Sequence, residues 1–193
     1  IAKQPMEGEP GKSFHYSNTG LQIAGAIIEK ISGKSFETLF AERIAQPCHM
    51  KNSDFGKGKI ALPAGGAWST AEDYLNFLQM ILHEGEFNGK QVLSKASVIE
   101  MQKNRVSKDA VIVSSPAEAS NWGYGFGEWV MDDVLVGKRS DAVTSPGLFG
   151  SFPWVNNKHK YAGFLMTFNL KNKGRSERYK ELKKMVDETL QVR

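Results

Sequence analysis

An α+β fold with a mainly antiparallel sheet is predicted by three features of the 193-residue sequence. Apolar residues recur at helical spacing through residues 1–110. Residues 111–193 then turn aromatic and glycine-rich, with strand composition and turn signals. An amphipathic segment closes the chain. Helices first, strands next and a helix last is the order of a segregated α+β architecture, not of alternating parallel units.

The first helix is predicted by Leu21, Ala24, Ile27, Ile28 and Ile31, with Ser32 and Gly33 as its stop. A second helix has Ser35 as N-cap and Phe36, Leu39, Phe40 and Ile44 as its stripe, ended by Pro47. Residues 52–67 are rich in Gly and read as loop. Ser69 with Glu72 three residues on forms a capping box for a third helix. Its inward face is Leu75, Leu78, Ile81 and Leu82, and Gly85 terminates it. A shorter helix starts near Ser94 and buries Val98, Ile99 and Met101. Two late strands, in "GLFGSFPWV" and "KYAGFLMTFNL", are joined at hairpin length by Asn156, Asn157, Lys158 and His159. Tyr179, Leu182, Val186 and Leu190 share one face of the closing helix.

Composition narrows the function. With 40% apolar and 24% charged residues the chain can bury a core, and no apolar run reaches the roughly 20 residues of a membrane-spanning helix. The net charge of +4 comes mostly from residues 171–184, where Glu177 and Glu181 interrupt the basic residues. That is a solvated helix face, without a nucleic-acid motif. The single Cys48 excludes an intrachain disulfide and reads as a small buried residue. The four histidines share no ligand spacing, so no metal site is predicted. Gly123, Gly125 and Gly127 alternate with aromatics and serve packing, not phosphate binding.

The segment "GKSFHYSNTGLQIAGAIIEK" places Tyr16 and Asn18 two residues apart just before a helix. In extended backbone such a pair projects to one side. A phenol can relay a proton if cationic neighbours lower its pKa from about 10, and a carboxamide offers both acceptor and donors. The other reading of the same tripeptide is a helix cap, on Ser17 or Asn18, with a packing Tyr.

This segment and the residues C-terminal to it resemble the serine β-lactamase and penicillin-binding-protein superfamily, in its class C and esterase-like branch. The likeness runs through Tyr-Ser-Asn, the apolar helix, "GKSF", "PCHM", "GGAWSTAEDYLNFLQMIL", "VLSKASVIEM" and "SPGLFGSFPWVNN", in order from Pro10 to Leu170. The resemblance implies a β-lactamase/transpeptidase-like fold, here in part. It also implies a serine hydrolase that works through an acyl-enzyme on esters, amides or D-alanyl peptides, without metal or organic cofactor. In that family Tyr16 is the catalytic tyrosine and Asn18 its partner. A third motif, usually Lys-Thr-Gly or His-x-Gly, falls at Ser145-Pro146-Gly147, so Ser145 and Gly147 are the implied substrate-binding residues. A neutral Ser stands where a cation is usual, which moves the expected substrate from β-lactams toward esters or peptides; a plain turn is the other reading of this tripeptide.

The family's nucleophile motif, Ser-x-x-Lys, is absent: no serine in the chain has Lys three residues later. The chain also begins without Met and without a signal pattern. The expectation is a C-terminal part of a longer hydrolase, whose N-terminal portion supplies the nucleophile and the strands that complete the sheet. A non-catalytic homologue that binds peptide or peptidoglycan fragments is the alternative, and export or a periplasmic location is implied by the resemblance alone.

Overall fold

The computed structural model describes residues 3–6, 8–56, 60–119, 122–171 and 173–191. A short strand β1 (Ser13–His15) leads into α1 (Asn18–Ser32), and α2 (Phe36–Phe40) runs on as a π turn to Ala45. Then come α3 (Ala71–Leu82), the hairpin β2 (Glu86–Phe87) and β3 (Lys90–Gln91), α4 (Lys95–Met101) and β4 (Val111–Ser114). Strands β5 (Gly123–Tyr124), β6 (Trp129–Val130), β7 (Ala142–Thr144), β8 (Phe152–Asn156) and β9 (Tyr161–Leu165) precede the final helix α5 (Arg175–Gln191). β5 to β9 form one antiparallel sheet in sequence order.

That sheet is covered on both faces. β8 shows why: Val155 packs into a core with Val143, Leu78 and Ile81 of α3, while Phe152 and Trp154 pack with Tyr179 of α5. The alternation is the period-2 geometry of a strand buried on two sides. The Phe152 and Tyr179 rings stack at 4.2 Å, and Tyr74 of α3 stacks on Phe164 of β9 at 4.7 Å. Asp187 ties α5 down by accepting from Asn156 Nδ2 at 2.8 Å and Tyr161 OH at 2.6 Å.

Several expectations hold and several shift. Ser35 caps α2 as predicted, and α4 starts where expected, with Ser94 as its cap. The cap of α3 is Thr70, not Ser69: its hydroxyl accepts from Asp73 N at 3.2 Å. Ser69 instead bonds Ser53, and the Asp73 carboxylate crosses to Asn52 N and Ser53 Oγ. The late hairpin turns at residues 157–160, and the strand expected from residue 147 begins only at Phe152. A short strand, β1, precedes Tyr16 and pairs in parallel with β4, outside the large sheet. The stripe expected to be buried on α1 is not: Ile27, Ile28 and Ile31 are exposed, and Gly25 is the one buried residue of that helix. On α5, Tyr179 is buried but Leu190 is exposed. The basic run from residue 171 is mostly solvated, as read, except Arg175, which is buried in an ion pair with Glu118 at 2.7 Å.

Candidate active site

Tyr16 and Asn18 lie on the turn between β1 and α1. The Tyr16 amide donates to Ser114 O at 3.0 Å, which extends the β1–β4 pairing by one residue. Ser17 is extended and its hydroxyl accepts from Thr19 N, so Ser17 is the cap. Asn18 is the first helical residue, with an exposed side chain.

The Tyr16 ring is half-buried against Trp129 of β6, at 5.1 Å, and meets the edge of Tyr124 of β5 at 5.9 Å. Phe14 completes this aromatic cluster. Burial pushes the Tyr16 pKa up, opposite to the lowering by cationic neighbours that a proton relay at neutral pH would favour. Trp129 pairs across the sheet with Thr144, and Ser145 comes directly after Thr144. The Tyr-Ser-Asn turn therefore sits on a strand adjacent to the one that delivers Ser-Pro-Gly.

Ser145 is exposed at the end of β7. Gly147 opens a tight turn: its N–H donates to Ser151 O at 2.9 Å, and its carbonyl accepts from Gly150 N at 3.0 Å. Gly150 has φ +100°, a conformation open to glycine, and a Cβ there would come within 2.8 Å of Thr167 Oγ1. The turn is held from α5. Tyr179 OH donates to Gly150 O at 2.6 Å, and Arg175 Nη1 donates to Leu148 O at 3.1 Å.

A cavity of about 150 Å³ opens beside Ser145, between α3 and the sheet. Tyr74, Phe77 and Phe126 give it aromatic walls, and Glu128 faces it with a buried carboxyl. Burial raises the Glu128 pKa to about 8, against a smaller lowering by Arg139. Tyr74 is in turn pushed up to about 12, by burial and by the Glu128 charge. Of the four predicted site residues only Ser145 lines this cavity; Tyr16, Asn18 and Gly147 do not. Sequence reasoning does not single out Glu128. Its only signal there is a lone acid in the aromatic run "WGYGFGEWV".

The neighbouring features are structural. Gly125 lets the chain pass α4, since a Cβ would lie 2.0 Å from Met101 O. Cys48 is buried with its pKa raised to about 11 by burial, so its thiol is inert at neutral pH. His49 beside it packs edge-on against Phe87 at 5.6 Å.

Residues 1–184 match the sequence profile of the Beta-lactamase family. The chain is 28% identical over 189 residues to Protein Rv1367c of Mycobacterium tuberculosis H37Rv, covering 80% of this chain and 46% of that protein. It is 20% identical over 146 residues to the D-alanyl-D-alanine-carboxypeptidase/endopeptidase AmpH of Escherichia coli K12, covering 65% and 38%. Among solved structures, a Bacteroides dorei DSM 17855 protein assigned as a β-lactamase superposes with a TM-score of 0.74 at 31% identity, covering 86% of this chain and 53% of that one. The hydrolase EstCE1 shares the fold, with a TM-score of 0.69 at 19% identity over 92% of this chain and 57% of its own. The chain thus spans about half the length of the relatives it matches. Its five-stranded antiparallel sheet, flanking helices and family profile agree: the chain belongs to the β-lactamase family.

Proposed function

We propose that these 193 residues are the Tyr-x-Asn-bearing part of a serine hydrolase that forms an acyl-enzyme on small esters, amides or D-alanyl peptides. Tyr16 relays the proton of the acylation step, Asn18 contacts the substrate amide, and Ser145 and Gly147 line the substrate pocket. The attacking serine and its lysine come from residues outside this chain. The observation that carries the reading is the seat of Tyr16 on Trp129, whose cross-strand partner Thr144 precedes Ser145. The uncovered apolar face of α1 supports it too, because a helix of this pattern gains stability only when that face is packed.

The chemistry near Ser145 favours uncharged acyl groups over anionic ones. A cation in that place would hold a substrate carboxylate through a charge-assisted bond, which a neutral hydroxyl does less well. The nearby Glu128 adds no attraction for an anion.

The test uses the full-length gene product. It should react with a fluorophosphonate probe at a Ser-x-x-Lys serine before Ile1 and cleave short aryl esters faster than cephalosporins. Tyr16→Phe should slow its acylation by roughly 10²–10⁴-fold, the usual worth of a positioned proton-transfer group. Wild-type acylation by that variant, or covalent labelling of a serine within these 193 residues, overturns the proposal.

A further inference from the structure

The Glu128 carboxyl has no evident use in the fold. Its Oε2 is buried and has no hydrogen-bond partner among the described residues. Leaving a buried polar atom unpaired is costly, and more so if it is charged. Arg139, whose charge acts on Glu128, does not bond it. Arg139 spends its guanidinium on Glu84 Oε1 at 2.7 Å, Gln102 Oε1 at 2.8 Å and Asn157 Oδ1 at 3.1 Å. Two phenols feel the Glu128 charge, Tyr74 on α3 and Tyr124 on β5.

The carboxyl is also not sealed in a packed core. It borders the cavity of about 150 Å³ whose aromatic walls are Tyr74, Phe77 and Phe126 and whose rim includes Ser145. Phe126 at the mouth is more than half exposed, so the cavity is reachable from solvent. One acceptor beside the rings of Tyr74, Phe77 and Phe126, the last already under the Arg105 guanidinium at 4.7 Å, has a specific complement. A primary ammonium brings three N–H donors for the carboxylate and a cation for the ring faces. A neutral alcohol lacks the charge, and a carboxylate would be repelled.

We infer that Glu128 and the surrounding rings form a binding site for a primary alkylammonium group. Its source is either a free ligand or a lysine from another part of the full-length protein. Where the source is a free ligand, the proposal rests on the hydrolase reading for its meaning: the site then selects esters or amides whose acyl chain ends in an ammonium. Ammonium binding favours the ionised carboxyl, so below about pH 8 it releases a proton and tightens as the pH rises.

The experiment is a titration of the 193-residue chain with n-butylammonium chloride, monitored by calorimetry and tryptophan fluorescence. Butanol and butyrate are the controls. Saturable binding of the ammonium alone is expected, with proton release below about pH 8 and roughly a tenfold or greater loss of affinity in Glu128→Gln. Equal affinity in that variant, or equal binding of butyrate, overturns the site. Should the variant fail to fold, the carboxyl ¹³C shift of Glu128 in the wild-type chain gives the same answer: ammonium must move it to the ionised value at about pH 7, and no movement rejects the site.

Repeating the titration on the full-length protein separates the two sources. Retained binding marks a free-ligand site, and lost binding with an ionised Glu128 marks an internal lysine. Ammonium binding without ester hydrolysis leaves the site standing and removes the hydrolase reading; hydrolysis without ammonium binding does the reverse.

Discussion

Helix α1 repeats Leu21, Ala24, Ile27, Ile28 and Ile31 at helical spacing, and α3 repeats Leu75, Leu78, Ile81 and Leu82 in the same manner. Both are capped by a hydroxyl side chain, Ser17 in one and Thr70 in the other. Yet Leu78 and Ile81 are 6% and 0% exposed, while Ile27, Ile28 and Ile31 keep 52%, 46% and 82% of their surface open. The difference lies in what stands opposite. α3 faces β8 and β9, with Val155 and Phe164 against it. α1 is held mainly at its rim, by Gln22 Nε2 donating to Ala61 O at 2.8 Å and by Gly25 against Pro63. An apolar period says that a face needs cover; it does not say which part of a protein supplies it.

The contrast can be broken by substitution. Ile81→Ala should destabilise the chain by about 2–5 kcal/mol, the cost of a cavity in a filled core, whereas Ile31→Ala should stay within about 0.5 kcal/mol. Urea unfolding of the two variants decides it, and equal losses would erase the distinction drawn between the helices. Ile28→Lys sharpens the point by moving it between two proteins. It should leave the 193-residue chain within about 0.5 kcal/mol of wild type but cost the full-length product roughly 1–3 kcal/mol if a further segment covers α1. Loss of stability in neither protein would leave α1 uncovered in both. The smallest expected effects are those of the caps. Thr70→Ala should cost about 1 kcal/mol, because α3 is part of the core, and Ser17→Ala only a few tenths, because α1 is scarcely coupled to it. A larger loss at Ser17, read from thermal melts, would show α1 to be integral after all.

The helices, the late hairpin and the closing helix are legible in the sequence because their signals are local: period, caps and turn residues. Features that depend on contacts made far along the chain are not. Thr70 displaces Ser69 as a cap because Ser69 and Asp73 are drawn across to Ser53, sixteen and twenty residues away. Nothing in the Tyr-Ser-Asn tripeptide announces Trp129 as the seat of Tyr16, and nothing near Glu128 announces Tyr74 or Phe77 around its cavity. The π turn after α2 and the parallel β1–β4 pair also leave no local mark. Ser145 is found through family motifs, and its neutral side chain is plain to read; the acid that shares its cavity is not.

The anchorage of the turn after β7 also sets the order in which a newly made chain can acquire its shape. The residues of that turn, 145–151, are all synthesised before Arg175 and Tyr179, which hold the carbonyls of Leu148 and Gly150. A ribosome-bound chain stopped at residue 170 already has β7, β8 and β9 but neither of those two donors. Among the described residues the Gly150 carbonyl then keeps its bond from Thr167 Oγ1 alone, at 2.8 Å, and the segment that presents Ser145 waits on α5. A domain folds as a unit and its chain is made at about 5–20 residues per second, so Ser145 is made early and held late.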